Sequence, residues 1–187
     1  MKWSKERTSL ILLASCASFL MFATPTDSTA QALPTATGPG KYIQVGAQLS
    51  GFQIDYGQHY LSGVAAVIDA NLYARYGVEA EVRTLTINQD EGVHETTYLA
   101  GPRVSLLTGQ VRPYVKFLVG RGELSYPFHD ATGSYFVFAP GAGLDWHVGH
   151  SRLNIRVVDV EVQNWPGFSF GSIMPYGISS GLAVRVF

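Results

Sequence analysis

The sequence has little cysteine, little charge and no long apolar run. Cys16 is the only cysteine among 187 residues, and charged residues make up 14% of the chain. The longest apolar stretch, residues 10–23, falls short of the roughly 20 residues that a membrane-spanning helix needs. The composition therefore excludes an intrachain disulfide and gives no sign of a spanning helix.

Residues 1–32 have the layout of a secretory signal peptide. Three basic residues precede the apolar run, and a polar segment then ends in Ala30-Gln31-Ala32. We expect export and cleavage after Ala32. An alternative stays open, because residues 13–16 (LASC) resemble the lipobox at which bacterial lipoproteins are acylated on cysteine, here Cys16.

An excess of positive charge is also lacking. Without residues 1–32 the chain keeps 155 residues, of which ten are basic and twelve acidic, so its net charge is −2. That balance argues against a nucleic-acid partner, which favours a basic surface. The length suits one domain, and we expect it at residues 41–187, after a short leader at 33–40.

From residue 41 onward the sequence shows alternation with period two and almost no helical pattern. Eight such runs are separated by Gly, Asn, Asp and Pro, at residues 41–54, 61–74, 77–88, 94–107, 111–125, 134–148, 152–164 and 174–187. Soluble strands usually have about five or six residues. The longer runs are typical of strands that cross a membrane at a tilt.

The connections between these runs alternate in length. Tight ones fall at residues 75–77, 108–110 and 149–151, and longer polar ones at 55–60, 88–93, 125–133 and 165–173. An even-stranded up-and-down barrel places all tight turns at one end and all long loops at the other. Outer-membrane barrels show this asymmetry, with short turns on the periplasmic side.

Each strand has one apolar and one polar face, as in residues 76–87 (YGVEAEVRTLTI). A soluble barrel, binding an apolar ligand inside, turns its polar face to water, whereas a membrane barrel turns that face inward. Glycines crowd the polar face, as suits a narrow eight-stranded interior. Aromatic residues gather near strand ends, as in interfacial girdles. The pattern predicts an all-β fold, an eight-stranded antiparallel up-and-down transmembrane β-barrel with a polar interior.

The polar face carries a set of charges that we expect to pair inside the barrel. Its acids are Asp69, Glu79, Glu81, Asp145, Asp159 and Glu161, and its bases are Arg83, Arg103, Arg112, Lys116, Arg156 and Arg185. Six acids oppose six bases, and buried charges need partners. The seventh run changes phase at Val157-Val158, which predicts a β-bulge.

Four stretches of the chain resemble small bacterial outer-membrane β-barrels of the OmpA/OmpX and opacity-protein type. They are RPYVKFLVGRGEL at 112–124, FAPGAGLDWHVG at 138–149, RVVDVEVQNWPGF at 156–168 and YGISSGLAVRVF at 176–187. The resemblance implies a monomer in the bacterial outer membrane, in contact with its lipid. It also implies that the assembly machinery of that membrane reads Phe187, although this aromatic is out of phase with the apolar row of its strand.

We expect a structural or surface-contact role rather than catalysis, and no cofactor. The His-x-Ser pair of barrel lipid A deacylases is missing, and His150-Ser151 falls in a tight turn. An eight-stranded interior is normally filled by side chains, which favours a plug over the alternative of a narrow channel or small-ligand carrier.

The long connections carry two further sets of candidate residues. Tyr126, Phe128, Trp165, Phe168 and Phe170 are candidates for surface contacts, such as adhesion, or for an upper aromatic girdle. His59, His94 and His129 lie beside acidic residues, but solvated loops explain them better than a metal site.

Overall fold

The computed structural model describes residues 41–54, 60–87, 94–125, 133–149, 151–168 and 171–186. These residues form ten β-strands: β1 Tyr42–Gln53, β2 Tyr60–Tyr73, β3 Tyr76–Ile87, β4 His94–Ser105, β5 Val111–Ser125, β6 Gly133–His147, β7 Leu153–Val162, β8 Trp165–Phe168, β9 Gly171–Ile173 and β10 Tyr176–Arg185. Among them, no helix has the length and apolarity to cross a membrane.

Eight of the strands close into an antiparallel barrel in the order β1-β10-β7-β6-β5-β4-β3-β2. From β1 to β7 each strand pairs with the next, β7 pairs with β10, and β10 closes the barrel on β1, where Gln48 pairs with Gly181 and Phe52 with Gly177. The predicted eight-stranded up-and-down barrel is therefore confirmed, with strand bounds within two residues of those expected. Period-two alternation over ten to fifteen residues specifies such strands strongly, because a slip by one residue would turn every side chain around.

The barrel has a tight-turn end and a long-loop end. At the tight-turn end, β2 and β3 are joined through Ala74 and Arg75, and Ala74 has φ 48°. The Asn71 side chain donates a hydrogen bond to the Ala74 carbonyl, and Ser105 N–H donates one to the Arg75 carbonyl. The Ser105 bond ties this turn to the neighbouring strand β4, and the Asn71 bond holds the turn against β2.

The connection predicted as a long loop at residues 165–173 contains strand structure that sequence reasoning did not predict. β8 and β9 form a separate two-stranded sheet, and Phe138 and Asn164 exchange backbone hydrogen bonds of 3.0 and 2.7 Å. Gly167 and Gly171 have φ of 84° and 119°. Strands of four and three residues are too short for alternation to show, and Pro and Gly in the sequence indicate a turn.

The predicted bulge in β7 is confirmed. Asp159 pairs with Ser179 and Arg156 with Gly181, so two residues of β7 face one residue of β10. The pairing with β6 shifts at the same place, between Leu144 and Asp145. The extra residue lets Arg156 and Asp159, three positions apart, both point into the barrel.

Candidate functional site: the filled barrel interior

The charged face of the strands lies inside the barrel. In β3, Glu81 is 2% exposed, whereas Val82 beside it is 44% exposed. The other strands repeat this pattern, with buried polar residues alternating with exposed apolar ones. The soluble alternative, with charges outside and an apolar interior, is therefore wrong for the charged part of the strands.

The outward face forms an apolar belt around the barrel. Its members include the exposed residues Val45, Val64, Ile68, Leu72, Val78, Val82, Val115, Phe117, Val119, Phe138, Val157, Val160, Ile178, Leu182 and Val184. In the described barrel strands, Arg121 and Glu123 of β5 are the only formally charged residues in this outward row. On β5 the uncharged row runs from Val111 to Val119, close to the roughly nine to eleven residues that cross a membrane core.

Ten of the twelve predicted lumen charges meet in one network, which we call the charged layer. Its members are Asp69, Glu79, Glu81, Arg83, Arg103, Lys116, Asp145, Arg156, Asp159 and Glu161, and all are buried. Lys116 occupies its centre. Its Nζ lies 2.9 Å from Glu79, 2.8 Å from Asp159, 3.1 Å from Glu161 and 3.6 Å from Glu81. One ammonium group thus contacts carboxylates from two opposite walls, β3 and β7.

Two arginines extend the network toward the tight-turn end. Arg156 Nη2 lies 2.9 Å from Asp69 and 3.0 Å from Glu79, and Arg103 contacts Asp69 at 2.8 Å and Asp145 at 2.5 Å. The Arg103 guanidinium stacks over the Tyr114 ring at 3.7 Å. Planar guanidinium groups suit such sites, because they form several directed hydrogen bonds and stack on aromatic rings.

The fourth base links the charged layer to the long-loop end. Arg83 lies 2.5 Å from Glu81 and 2.8 Å from Glu161. Gln163 donates to Glu161 at 3.0 Å, and the Trp165 indole N–H donates to Gln163 at 2.8 Å. A chain of polar contacts therefore runs from the Trp165 indole to the charges in the barrel.

Arg112 and Arg185 do not join the charged layer. Arg112 donates to the Gly109 carbonyl at 2.7 Å in a turn, and the Arg185 guanidinium stacks over the Tyr42 ring at 4.3 Å. Both are only partly buried, at the tight-turn end. The predicted balance of six acids and six bases is therefore corrected, since six acids share four bases within the layer.

Above the charged layer, the interior is mainly apolar, and we call its apolar residues the apolar cap. It consists of Phe52, Ile54, Leu61, Leu85, Leu99, Leu118, Leu124, Val137, Ala139, Trp165 and Ile173. The expectation of a polar interior along the whole barrel is thus wrong at the long-loop end. The alternation in the sequence indicated most of these residues, because all but Trp165 and Ile173 continue the inward rows of the barrel strands.

Trp165 does not lie at the surface, so this part of the prediction is wrong. It is fully buried rather than exposed, and its indole lies where a Cβ on residue 122 would stand, so Gly122 makes room for it. Of the other predicted surface residues, Tyr126, Phe128 and Phe170 lie outside the described residues, as does the assembly residue Phe187. Of Phe168 the structure describes the backbone but not the side chain.

Glu95 is a buried charge that sequence reasoning missed. It faces inward on β4, paired with Leu85 on β3 and Leu124 on β5, and is 1% exposed. Neither of its carboxylate oxygens accepts a hydrogen bond from a described residue. The period-two alternation of β4 places Glu95 inward, but its neighbour His94 suggested a solvated loop.

The three histidines considered for a metal site fall mostly outside the described residues. Within the described ranges, no group of three or more His, Cys, Asp or Glu side chains is placed to hold a metal ion. His94 begins β4, and His59 and His129 lie outside those ranges.

A closed eight-stranded barrel with charges inside and an apolar belt outside has the fold of small outer-membrane β-barrels. The chain is similar to the solved structure of Neisserial surface protein A, with a TM-score of 0.63 and 10% identity over 78% of this chain and 96% of that one. It is also similar to the N-terminal β-barrel domain of Pseudomonas aeruginosa OprF, with a TM-score of 0.51 and 14% identity over 76% and 98%.

The likeness is one of fold, because both identities are low. No protein-family model matches the sequence, and no curated protein matches it.

Proposed function

We infer that the chain is an integral protein of the bacterial outer membrane, whose barrel is a filled scaffold that presents its long-loop end outside the cell. The observation that carries this proposal is that charged side chains pair inside the barrel, whereas apolar side chains cover its outside. Exposing such a belt to water is unfavourable, at roughly 25 cal/mol per Å² of apolar surface, whereas lipid covers it.

A filled interior favours a structural or surface-contact role over transport. The side chains of Lys116 and Glu79 in the charged layer are 0% exposed, and Trp165, Leu118 and Phe52 fill the lumen above them. Eight-stranded barrels have interiors just wide enough for side chains to fill. We therefore propose that the barrel neither conducts ions nor catalyses a reaction.

The proposed partners follow from the same arrangement. Lipid is the partner of the belt, and the membrane assembly machinery is the partner during insertion. The barrel has no unpaired sheet edge, because β1 pairs with β10, and we propose that it acts as a monomer.

Cysteine labelling tests the orientation, since Cys16 is the only cysteine and lies in the predicted signal peptide. Ile87 at the long-loop end and Leu107 at the tight-turn end are 56% and 57% exposed. We expect a membrane-impermeant maleimide to label Ile87→Cys in intact cells, and Leu107→Cys only after the outer membrane is permeabilised. The reverse pattern, or recovery as a soluble protein without detergent, would contradict the proposal.

A further inference from the structure

Three basic side chains surround the lumen where it opens at the tight-turn end. We call them the basic mouth, and they are Arg112 on β5, His147 on β6 and Arg185 on β10. Their partners in the strand register are all buried in the lumen, and these are, in the same order, Asp145, Asn154 and Gln44. Side chains directly opposite each other on neighbouring strands share a face. The basic mouth therefore belongs to the inward rows of the barrel, at or next to the ends of its strands.

The two guanidinium groups of the basic mouth have no acidic partner. Arg112 donates from Nε to the Gly109 carbonyl at 2.7 Å, and Arg185 stacks over the Tyr42 ring at 4.3 Å. Neither arginine forms an ion pair with a described residue. The Nε and Nη2 atoms of Arg185 are buried without a hydrogen-bond partner in the described part of the chain. Such donors are unfavourable unless an acceptor reaches them.

The surroundings of the basic mouth add positive charge and supply no free acid. Arg112 and Arg185 lie within electrostatic range of each other, and both act on His147. Asp145, the acid opposite Arg112, is held by other bases, at 2.5 Å from Arg103 and 3.3 Å from Arg156. The sequence around the three tight turns contains no further acid and adds the bases Lys41, Arg75 and Arg152. An opening lined by charges of one sign concentrates ions of the other sign, here anions.

We propose that the basic mouth binds the phosphate group of a soluble ligand. Two guanidinium groups match a dianion, and a phosphate group carries a charge of about −1.5 to −2 at neutral pH. Arg112 keeps both terminal amino groups for the ligand, because its contact with Gly109 uses Nε. Guanidinium groups bind phosphate with two parallel hydrogen bonds.

The position of the basic mouth favours a soluble ligand over a lipid headgroup. The outward row at the same end presents aromatic side chains to the membrane, such as Tyr76 and Trp146, which are 61% and 46% exposed. The arginines instead lie in the inward rows, so their side chains meet the solution below the barrel. The orientation of the barrel does not enter this inference and decides only that the ligand comes from the periplasm.

Isothermal titration calorimetry of the folded full-length protein in an uncharged detergent tests the site. Inorganic phosphate and pyrophosphate are the probes, and acetate at the same ionic strength is the monoanion control. Arg112→Gln and Arg185→Gln each remove one guanidinium but keep a hydrogen-bonding side chain. Lys41→Gln is the matched control, because it removes a positive charge at an exposed position of the same end. Faster gel migration before boiling shows which variants are folded, and Arg185→Gln carries the test if Arg112→Gln is not.

We expect one pyrophosphate to bind per barrel, about tenfold more weakly in each arginine variant and unchanged in Lys41→Gln. Absence of saturable binding, equal weakening by Lys41→Gln, or displacement by acetate would overturn the site. Displacement by phosphatidylglycerol at an equal phosphate concentration would overturn the assignment to a soluble ligand. None of these results bears on the proposed function, which the labelling of Ile87→Cys and Leu107→Cys tests separately.

Discussion

The charged layer and the apolar cap fill two parts of one barrel interior with opposite chemistry. The charged layer and most of the cap are built from alternate inward positions of the same strands, as in β3, where Glu79, Glu81 and Arg83 precede Leu85. The charged layer joins residues far apart in sequence, such as Lys116 and Glu79 at 2.9 Å. The cap instead packs apolar side chains, and these need no specific partner.

The difference teaches how each part contributes to the fold. A buried ion pair contributes little net stability, because desolvation offsets the attraction, but removal of one partner is strongly destabilising. An apolar contact contributes in proportion to the area it buries. The cap therefore supplies stabilisation at the long-loop end, whereas the charged layer affects stability mainly when one of its pairs is broken.

The largest effect is expected from removing the central base of the charged layer. Lys116→Met leaves carboxylates of four residues without their shared cation, and we expect a loss of about 5 kcal/mol in the free energy of unfolding. Urea unfolding in lipid vesicles, followed by the gel shift between unboiled and boiled samples, measures it. Lys41→Met, at an exposed position before β1, is the control. A midpoint equal to that of the control would contradict the role given to Lys116.

Trp165 is the largest side chain of the cap. Trp165→Ala removes a fully buried indole and leaves a cavity beside Gly122, so we expect a loss of about 4 kcal/mol in the same assay. Trp146→Ala is the matched control, because Trp146 lies on the outward face and is 46% exposed. If both tryptophan variants unfold at the same urea concentration, Trp165 does not hold the cap together.

A pair of glutamates tests the boundary between the two parts. Glu81→Leu removes a partner of Arg83 and Lys116, so we expect a loss of about 3 kcal/mol. Glu95→Leu places an apolar side chain between Leu85 and Leu124, where the carboxylate has no described hydrogen bond, and we expect a gain of about 1 kcal/mol. Urea midpoints of the two variants, compared side by side, measure the difference. Equal losses would mean that Glu95 belongs to the charged layer.

The smallest effect concerns a hydroxyl pair between β1 and β10. The Oγ atoms of Ser50 and Ser179 are 2.8 Å apart inside the barrel. Ser50→Ala leaves one hydroxyl unsatisfied, with an expected loss of about 1 kcal/mol, and the double variant with Ser179→Ala should recover most of it. A double-mutant cycle of urea unfolding measures the coupling, and strictly additive losses would show that the bond contributes nothing.

The barrel and its strand bounds were predictable because period-two alternation is a local signal, repeated eight times. The inward charges were predictable for the same reason, and ten of the twelve lie in the charged layer. Their pairing was not, because Lys116 finds its carboxylates across the lumen and the shear of the strands decides which residues share a level. Trp165 was misplaced because its neighbours Pro166 and Gly167 indicate a turn, whereas its burial depends on the absence of a side chain at Gly122 on another strand.

Single-channel recording in a planar lipid bilayer tests most directly the claim that charged layer and cap together fill the barrel. The protein is inserted in its folded form, as judged by its migration before boiling. We predict no steady current, because paired charges and packed apolar side chains leave no aqueous path through the described lumen. A stable ohmic conductance that rises in proportion to salt concentration would contradict the account.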